Sequence, residues 1–310
     1  MIRLMERDLT ILAWLVHMRF SHLDQIGGKF FPGCNIHRAP YRRMLKLIAA
    51  GLVRTQKVYS DPRDLYVPTE AAVAALKASH YPFAIGIAKD KTFVNYSHDR
   101  ELIDLRILFE GLGVGLWIPE RVIRSVKPRG GSPDALILNV DQVYAVEYER
   151  TEKEPARYKK IFDRFNNSDK YAKVLYILPT EKRIESLKKK MGYIWQKFYF
   201  VSEECLHLEK RDAVFRSSQG ELPIRALAEY SMTGSLHDMI REEIKEVVES
   251  KTPGAWQNSK LFASCGGGGD PCDDDSDFDD DPDPDSDDDP QIDPGENRDG
   301  DDDDEEDEGR

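Results

Sequence analysis

The chain has 310 residues, 40% of them hydrophobic, enough for ordinary cores in about two domains. No apolar run approaches the roughly 18 residues that span a bilayer, and the opening segment from Met1 to Asp8 lacks the apolar stretch of a secretory signal, so a cytoplasmic protein with no membrane attachment is expected. The net charge of −13 would argue against a nucleic-acid partner, but residues 265–310 hold 24 acidic residues against Arg298 and Arg310, a net of −22, and leave the first 264 residues at +9.

Residues 8–18 place Leu9, Leu12, Leu15 and Val16 at helical spacing behind Asp8 as a start signal, and residues 21–31 repeat the pattern through Leu23 and Ile26. A third helix is predicted from about His37 to Ala50, with Tyr41, Met44, Leu45 and Ile48 inward, His37, Arg38, Arg42, Arg43 and Lys46 outward, and Gly51 as its stop. Residues 52–58 and 65–67, joined by the turn Ser60-Asp61-Pro62-Arg63, read as a two-stranded hairpin, and Thr69 caps a further helix through Lys77. Three helices, a hairpin wing and a closing helix are the order of a winged helix-turn-helix domain, here residues 1–80, followed by a linker over 81–97.

From His98 the order becomes helix 98–111, strand 115–123, strand 134–138, strand 143–149, helix 154–165, strand 173–178, helix 180–191 and strand 197–201. Short links predict antiparallel neighbours, whereas the helix between Glu149 and Lys173 is long enough for a crossover to a parallel strand, so the sheet of this second α/β domain, 98–205, is expected to be mixed. Residues 206–264 read as a helical extension in which Leu236, Met239, Ile240, Ile244, Val247 and Val248 form an apolar stripe, suited to packing or to homodimerisation. After Gly266 to Gly269, the run of Asp, Glu, Pro and Gly has too few apolar residues to offset the entropy of ordering, and residues 265–310 are predicted to be a disordered acidic tail.

A helix suits the major groove of duplex DNA when one face packs on its own domain and the other carries side chains that reach phosphates and base edges. Arg38 and Arg42 lie four apart on the third helix, Arg43 and Lys46 flank them, and Lys57 and Arg63 extend the candidate contact through the hairpin. The competing reading is a solvated charged helix or a protein-binding winged helix.

Carboxylates mark the second domain. Asp134 opens one predicted strand and Glu147-Tyr148-Glu149 closes the next; Glu147 and Glu149 share a strand face, and Asp134 on an adjacent strand can join them to hold magnesium or manganese by oxygen ligands. Such a cation lowers the pKa of a bound water and neutralises charge building on a phosphate, as phosphodiester hydrolysis requires. Glu101 or Asp104 on the preceding helix is a candidate further ligand. The same residues also read as solvated carboxylates at a strand end.

The helix-strand-strand-strand-helix-strand order with Asp134, Glu147 and Glu149 resembles the PD-(D/E)XK nuclease superfamily, in which an aspartate is followed by an acidic residue, any residue, then lysine. That lysine falls at Glu149, with Arg150 or Lys153 as candidate substitutes, so the catalytic set implied is Asp134, Glu147, Glu149 and Lys153. Residues 7–178 also resemble the replication-relaxation family, which joins a winged helix to a nuclease-like domain. The matching residues are Arg42-Arg43-Met44-Leu45-Lys46-Leu47, Gly51-Leu52-Val53, His98-Asp99, Asp104-Leu105-Arg106, Pro133-Asp134-Ala135-Leu136-Ile137 and Glu147-Tyr148-Glu149-Arg150-Thr151. This resemblance implies a role at a plasmid origin, in replication, DNA relaxation or conjugative mobilisation, by similarity to MobC-type relaxases, with replication or conjugation proteins as further partners.

Three readings follow: a metal-dependent nickase, a pseudo-nuclease that binds an origin or regulates transcription without cutting, and a protein-binding adaptor. Other chemistries lack their residues. The seven histidines supply no closely spaced pair for a HUH-type relaxase, no phosphate-binding Walker loop or GxSxG elbow occurs, and Cys34, Cys205, Cys265 and Cys272 form no CxxC pair for structural zinc.

Overall fold

The computed structural model describes residues 2–81, 83–88, 95–126, 131–139, 142–191 and 196–228. Helix α1 (Glu6–Met18) buries Ile11, Leu12, Leu15 and Val16 completely. Asp8 sits in its first turn, where its carboxylate accepts the Met5 backbone N–H at 2.6 Å. Helices α2 (Leu23–Phe30) and α3 (Ala39–Ala49) follow, and α3 ends at Gly51, whose φ of +70° is the left-handed conformation that terminates a helix at little cost in glycine. Strands β1 (Val53–Val58) and β2 (Asp61–Pro68) pair antiparallel, with a register irregularity between Gln56 and Val58. The Thr69 hydroxyl caps α4 (Glu70–Ala78) by accepting the Ala72 N–H, and α4 packs against α1.

A seven-stranded mixed sheet forms the rest. Helix α5 (Tyr96–Gly111) precedes β3 (Leu116–Pro119), and α6 (Glu120–Val126) follows it directly. Strands β4 (Ala135–Asn139) and β5 (Gln142–Tyr148) continue the sheet antiparallel, and α7 (Pro155–Asn166) crosses over to β6 (Lys173–Leu178), parallel to β5. Helix α8 (Glu181–Met191) leads to β7 (Phe198–Ser202), parallel to β6. The expected mixture of antiparallel hairpins and a parallel crossover is present.

Two expectations need correction. Residues 120–126 form α6 and not the end of a strand, because the β4 partner of β3 stops at Ala135, opposite Pro119. The described part of the expected helical extension is α9 (Glu203–Glu209), β8 (Val214–Ser217), β9 (Gly220–Pro223) and the short α10 (Ile224–Ala228). The two strands extend the sheet beyond β7, with Phe215 and Leu222 buried beneath them. The apolar stripe from Leu236 to Val248 and the acidic tail lie outside the described residues.

The helices before residue 80 and the sheet share one hydrophobic cluster, running from Ile11, Trp14 and Leu15 through Ile103 and Phe109 to Ile137 and Val146. Polar contacts reinforce the junction. Gln25 Nε2 donates to Asp104 at 2.7 Å, Lys29 Nζ lies 2.6 Å from Glu110, and the Arg106 guanidinium stacks over Trp14. On the other face of the sheet, Tyr158, Phe162 and Phe165 of α7 pack with Tyr176, Phe198 and Phe200.

Candidate functional site

Two surfaces collect the residues singled out in the sequence. On α3, Pro40, Met44 and Leu47 are buried at four- and three-residue spacing, which turns the adjoining positions to solvent. Arg38 and Arg42 are exposed as expected and neither is ion-paired among the described residues. Lys46 is half-buried on the flank of this face. Tyr41 and Leu45, expected in the core, are 42% and 45% exposed, because the buried stripe runs through Met44 and leaves its neighbours outside.

Arg43 points the other way. Its Nε donates to Asp8 Oδ1 at 2.6 Å and a terminal nitrogen reaches Asp8 Oδ2, while Asp8 itself is fully buried. Arg43 therefore ties α3 to α1 and is removed from the phosphate-contacting set. Arg63 is likewise engaged: it donates to Asp61 from Nε at 3.1 Å and from a terminal nitrogen at 2.9 Å, and it lies 3.1 Å from Asp24. Lys57 is 65% exposed; its ammonium donates to the Pro62 carbonyl oxygen at 2.8 Å and pairs with surface Asp64 at 3.0 Å, an ion pair weak enough to be exchanged for another anion. At the hairpin tip Tyr59 is fully exposed.

Asp61 is the centre of a buried network. Besides Arg63, its carboxylate accepts the Tyr96 hydroxyl at 2.5 Å, and the same hydroxyl is 2.7 Å from His22 Nε2. Hydrogen bonds from Arg63 and Tyr96 hold the Asp61 carboxyl well below the usual carboxylate range.

In the sheet, the antiparallel register Ala135 to Val146 sets Asp134 against Glu147 across β4 and β5. Asp134 accepts the Tyr148 N–H at 2.8 Å, and His98 Nε2 lies 3.4 Å from its carboxylate and 3.2 Å from the Tyr148 carbonyl oxygen. Burial alone would depress the His98 pKa, but bonds to Asp134 and Asp99 outweigh it and hold the imidazolium up to about 10. Glu147 accepts from Arg164 at 3.1 Å; burial and the nearby Asp134 charge raise its pKa well above the ordinary value, against the opposing pull of Arg164 and Lys153.

Glu149 has a different environment. It is 1% exposed and accepts from Lys153 Nζ at 2.6 Å, from the Tyr176 hydroxyl at 2.5 Å and from the Tyr158 hydroxyl. Burial, then the hydrogen bond to Glu149, pushes Tyr158 up to about 12. With both oxygens occupied, Glu149 does not fit the role of metal ligand and instead anchors Lys153 close enough to act on Glu147. Glu101 is also not brought to this cluster: it pairs with Arg100 and its charge acts on Glu203, which accepts the Tyr148 hydroxyl at 2.8 Å. Asp104 is taken by Gln25, and Arg150 is replaced by Lys153 as the cation near the site.

Asp134 and Glu147 thus remain as the carboxylates able to share a cation. Burial and mutual repulsion raise Glu147, a tension that magnesium or manganese between the two would relieve. No group of three or more His, Cys, Asp or Glu with metal-holding geometry occurs among the described residues. The sequence reading missed His98 as the partner of Asp134 and Arg164 as the partner of Glu147. The first had a signal in the His98-Asp99 pair; the second had none, since Arg164 reads as one more polar residue on an amphipathic helix. No described helix is long and apolar enough to cross a membrane.

Comparison with known proteins gives no matching family model, no matching curated protein and no matching solved structure.

Proposed function

We propose that this chain binds duplex DNA through a winged helix-turn-helix unit, α1 to α4 with the β1–β2 wing, and carries behind it a PD-(D/E)XK-like sheet whose Asp134 and Glu147 form a metal-dependent nicking site. The setting is plasmid replication, relaxation or conjugative mobilisation. The observation that carries the reading is the outer face of α3, where Arg38 and Arg42 are exposed and unpaired among the described residues while Met44 and Leu47 fix the opposite face in the core. Such a helix meets the requirement for entering a major groove and holding its phosphates.

In the nicking site, Asp134 and Glu147 would hold the magnesium or manganese, which when bound supplies an activated water and neutralises charge on the phosphate. Lys153, held by Glu149, and Arg164 beside Glu147 supply positive charge near the phosphate. A second reading is an origin-binding accessory factor or regulator with a pseudo-nuclease domain. It is favoured by the cation already standing at each acidic group: His98 at Asp134, Arg164 at Glu147 and Lys153 at Glu149.

The test is supercoiled plasmid carrying the neighbouring origin, incubated with the full chain and manganese, beside electrophoretic binding to the same DNA. Nicking lost in Asp134→Ala and Glu147→Ala supports the enzyme. Binding without nicking selects the accessory factor, and absence of duplex binding removes both readings.

A further inference from the structure

Beside Arg42 and the N-cap Arg38, the outer face of α3 carries two large apolar side chains. Positions 41, 42 and 45 fall on one side of α3 at helical spacing, and Arg38 stands at the N-cap just ahead of them, so the four side chains form one exposed strip. Tyr41 and Leu45 are among the few large apolar side chains left exposed, at 42% and 45%. A single exposed leucine is ordinary, but a tyrosine and a leucine one turn apart, with Arg42 between them and Arg38 ahead of Tyr41, form a patch with a positive charge frame.

That frame selects the occupant. Helix α3 contains no acidic residue, so two copies meeting through this face would set arginine against arginine. The complementary partner is a polyanion that also presents apolar groups between its charges. The major groove of duplex DNA does this: phosphates line its edges, and the thymine C5-methyl is the apolar group on its floor. The rotation of α3 is fixed by Met44 and Leu47 in the core and by the Arg43 bond to Asp8, so the stripe is set in place before any partner arrives.

We propose that Tyr41 and Leu45 are specificity residues that read thymine methyl groups, while Arg38 and Arg42 beside them hold phosphates. This rests on the DNA-binding reading above and adds what is recognised. The protein selects sites with thymine at fixed positions.

Duplexes recovered by the full chain from a randomised pool, and the same duplexes carrying deoxyuridine in place of thymidine, separate the two levels. Thymine enrichment is expected, with each contacted methyl lost in the uracil duplex weakening binding by about fourfold, the equivalent of one buried methyl group. Leu45→Ala and Tyr41→Ala, both on an exposed face, should shrink that penalty and leave the salt dependence of binding as it was. Equal binding of thymine and uracil duplexes, with a salt slope still reduced by Arg42→Ala, overturns methyl reading and leaves DNA binding intact. No binding to any duplex overturns both.

Discussion

The Lys153 ammonium lies 2.6 Å from the carboxylate of Glu149, four residues before it in the chain. Glu149 is buried with two tyrosine hydroxyls on it, so the pair fixes the chain between β5 and α7 as well as placing a cation near Glu147. Replacing Lys153 by Met leaves a buried carboxylate with neutral donors only and should cost about 2–3 kcal/mol, since hydrogen bonds to charged groups are the stronger kind. Urea unfolding measures this, and a loss below about 0.5 kcal/mol, the range of ordinary surface changes, would mean that Glu149 is effectively solvated.

Adjacent arginines on α3 should behave oppositely. Arg43→Ala strands the buried Asp8 carboxylate and is expected to destabilise the protein by about 3–5 kcal/mol. Arg42→Ala removes an exposed side chain and should change stability by no more than about 0.5 kcal/mol, while lowering the slope of log affinity against log salt by about one unit. Thermal unfolding and salt-dependent duplex binding of the two variants are the measurements. Equal stability losses would place both arginines on the surface.

The Asp61 network predicts acid sensitivity. Its carboxyl is held below the unfolded value near 4 by Arg63 and Tyr96, so its contribution is present above that pH and is lost as pH falls toward the folded value. Tyr96→Phe removes one donor and should cost about 1–2 kcal/mol at neutral pH, with the gap to the native protein closing in acid. A gap independent of pH would mean that the tyrosine acts through packing alone.

His98 predicts the opposite dependence. Its pKa is raised to about 10 in the folded protein against roughly 6.5 unfolded, so the stabilisation is complete below the unfolded value and is lost as pH rises toward the folded one. Unfolding midpoints measured from pH 6 to 10 should fall for the native chain and stay flatter for His98→Gln; parallel profiles would sink the assignment.

The sequence by itself determined the succession of elements from α1 to β7 apart from α6, the parallel crossover through α7 and the pairing of Asp134 with Glu147. Each follows from local periodicity, link length or a two-residue strand repeat. It could not decide which charges face a partner and which face the protein. Arg42 and Arg43 are neighbours of the same type, and only the packing of α1 against α3 brings Asp8 within 2.6 Å of one and not the other. The same holds for Glu149, whose two tyrosines come from 9 and 27 residues away, and for Arg164, 17 residues beyond Glu147. Tyr41 and Leu45 went astray for a related reason: helical period marks a stripe, but its rotation is set by what the neighbouring elements can bury. Ion pairing and exposure depend on distances across the fold, and residue spacing along the chain carries no term for them.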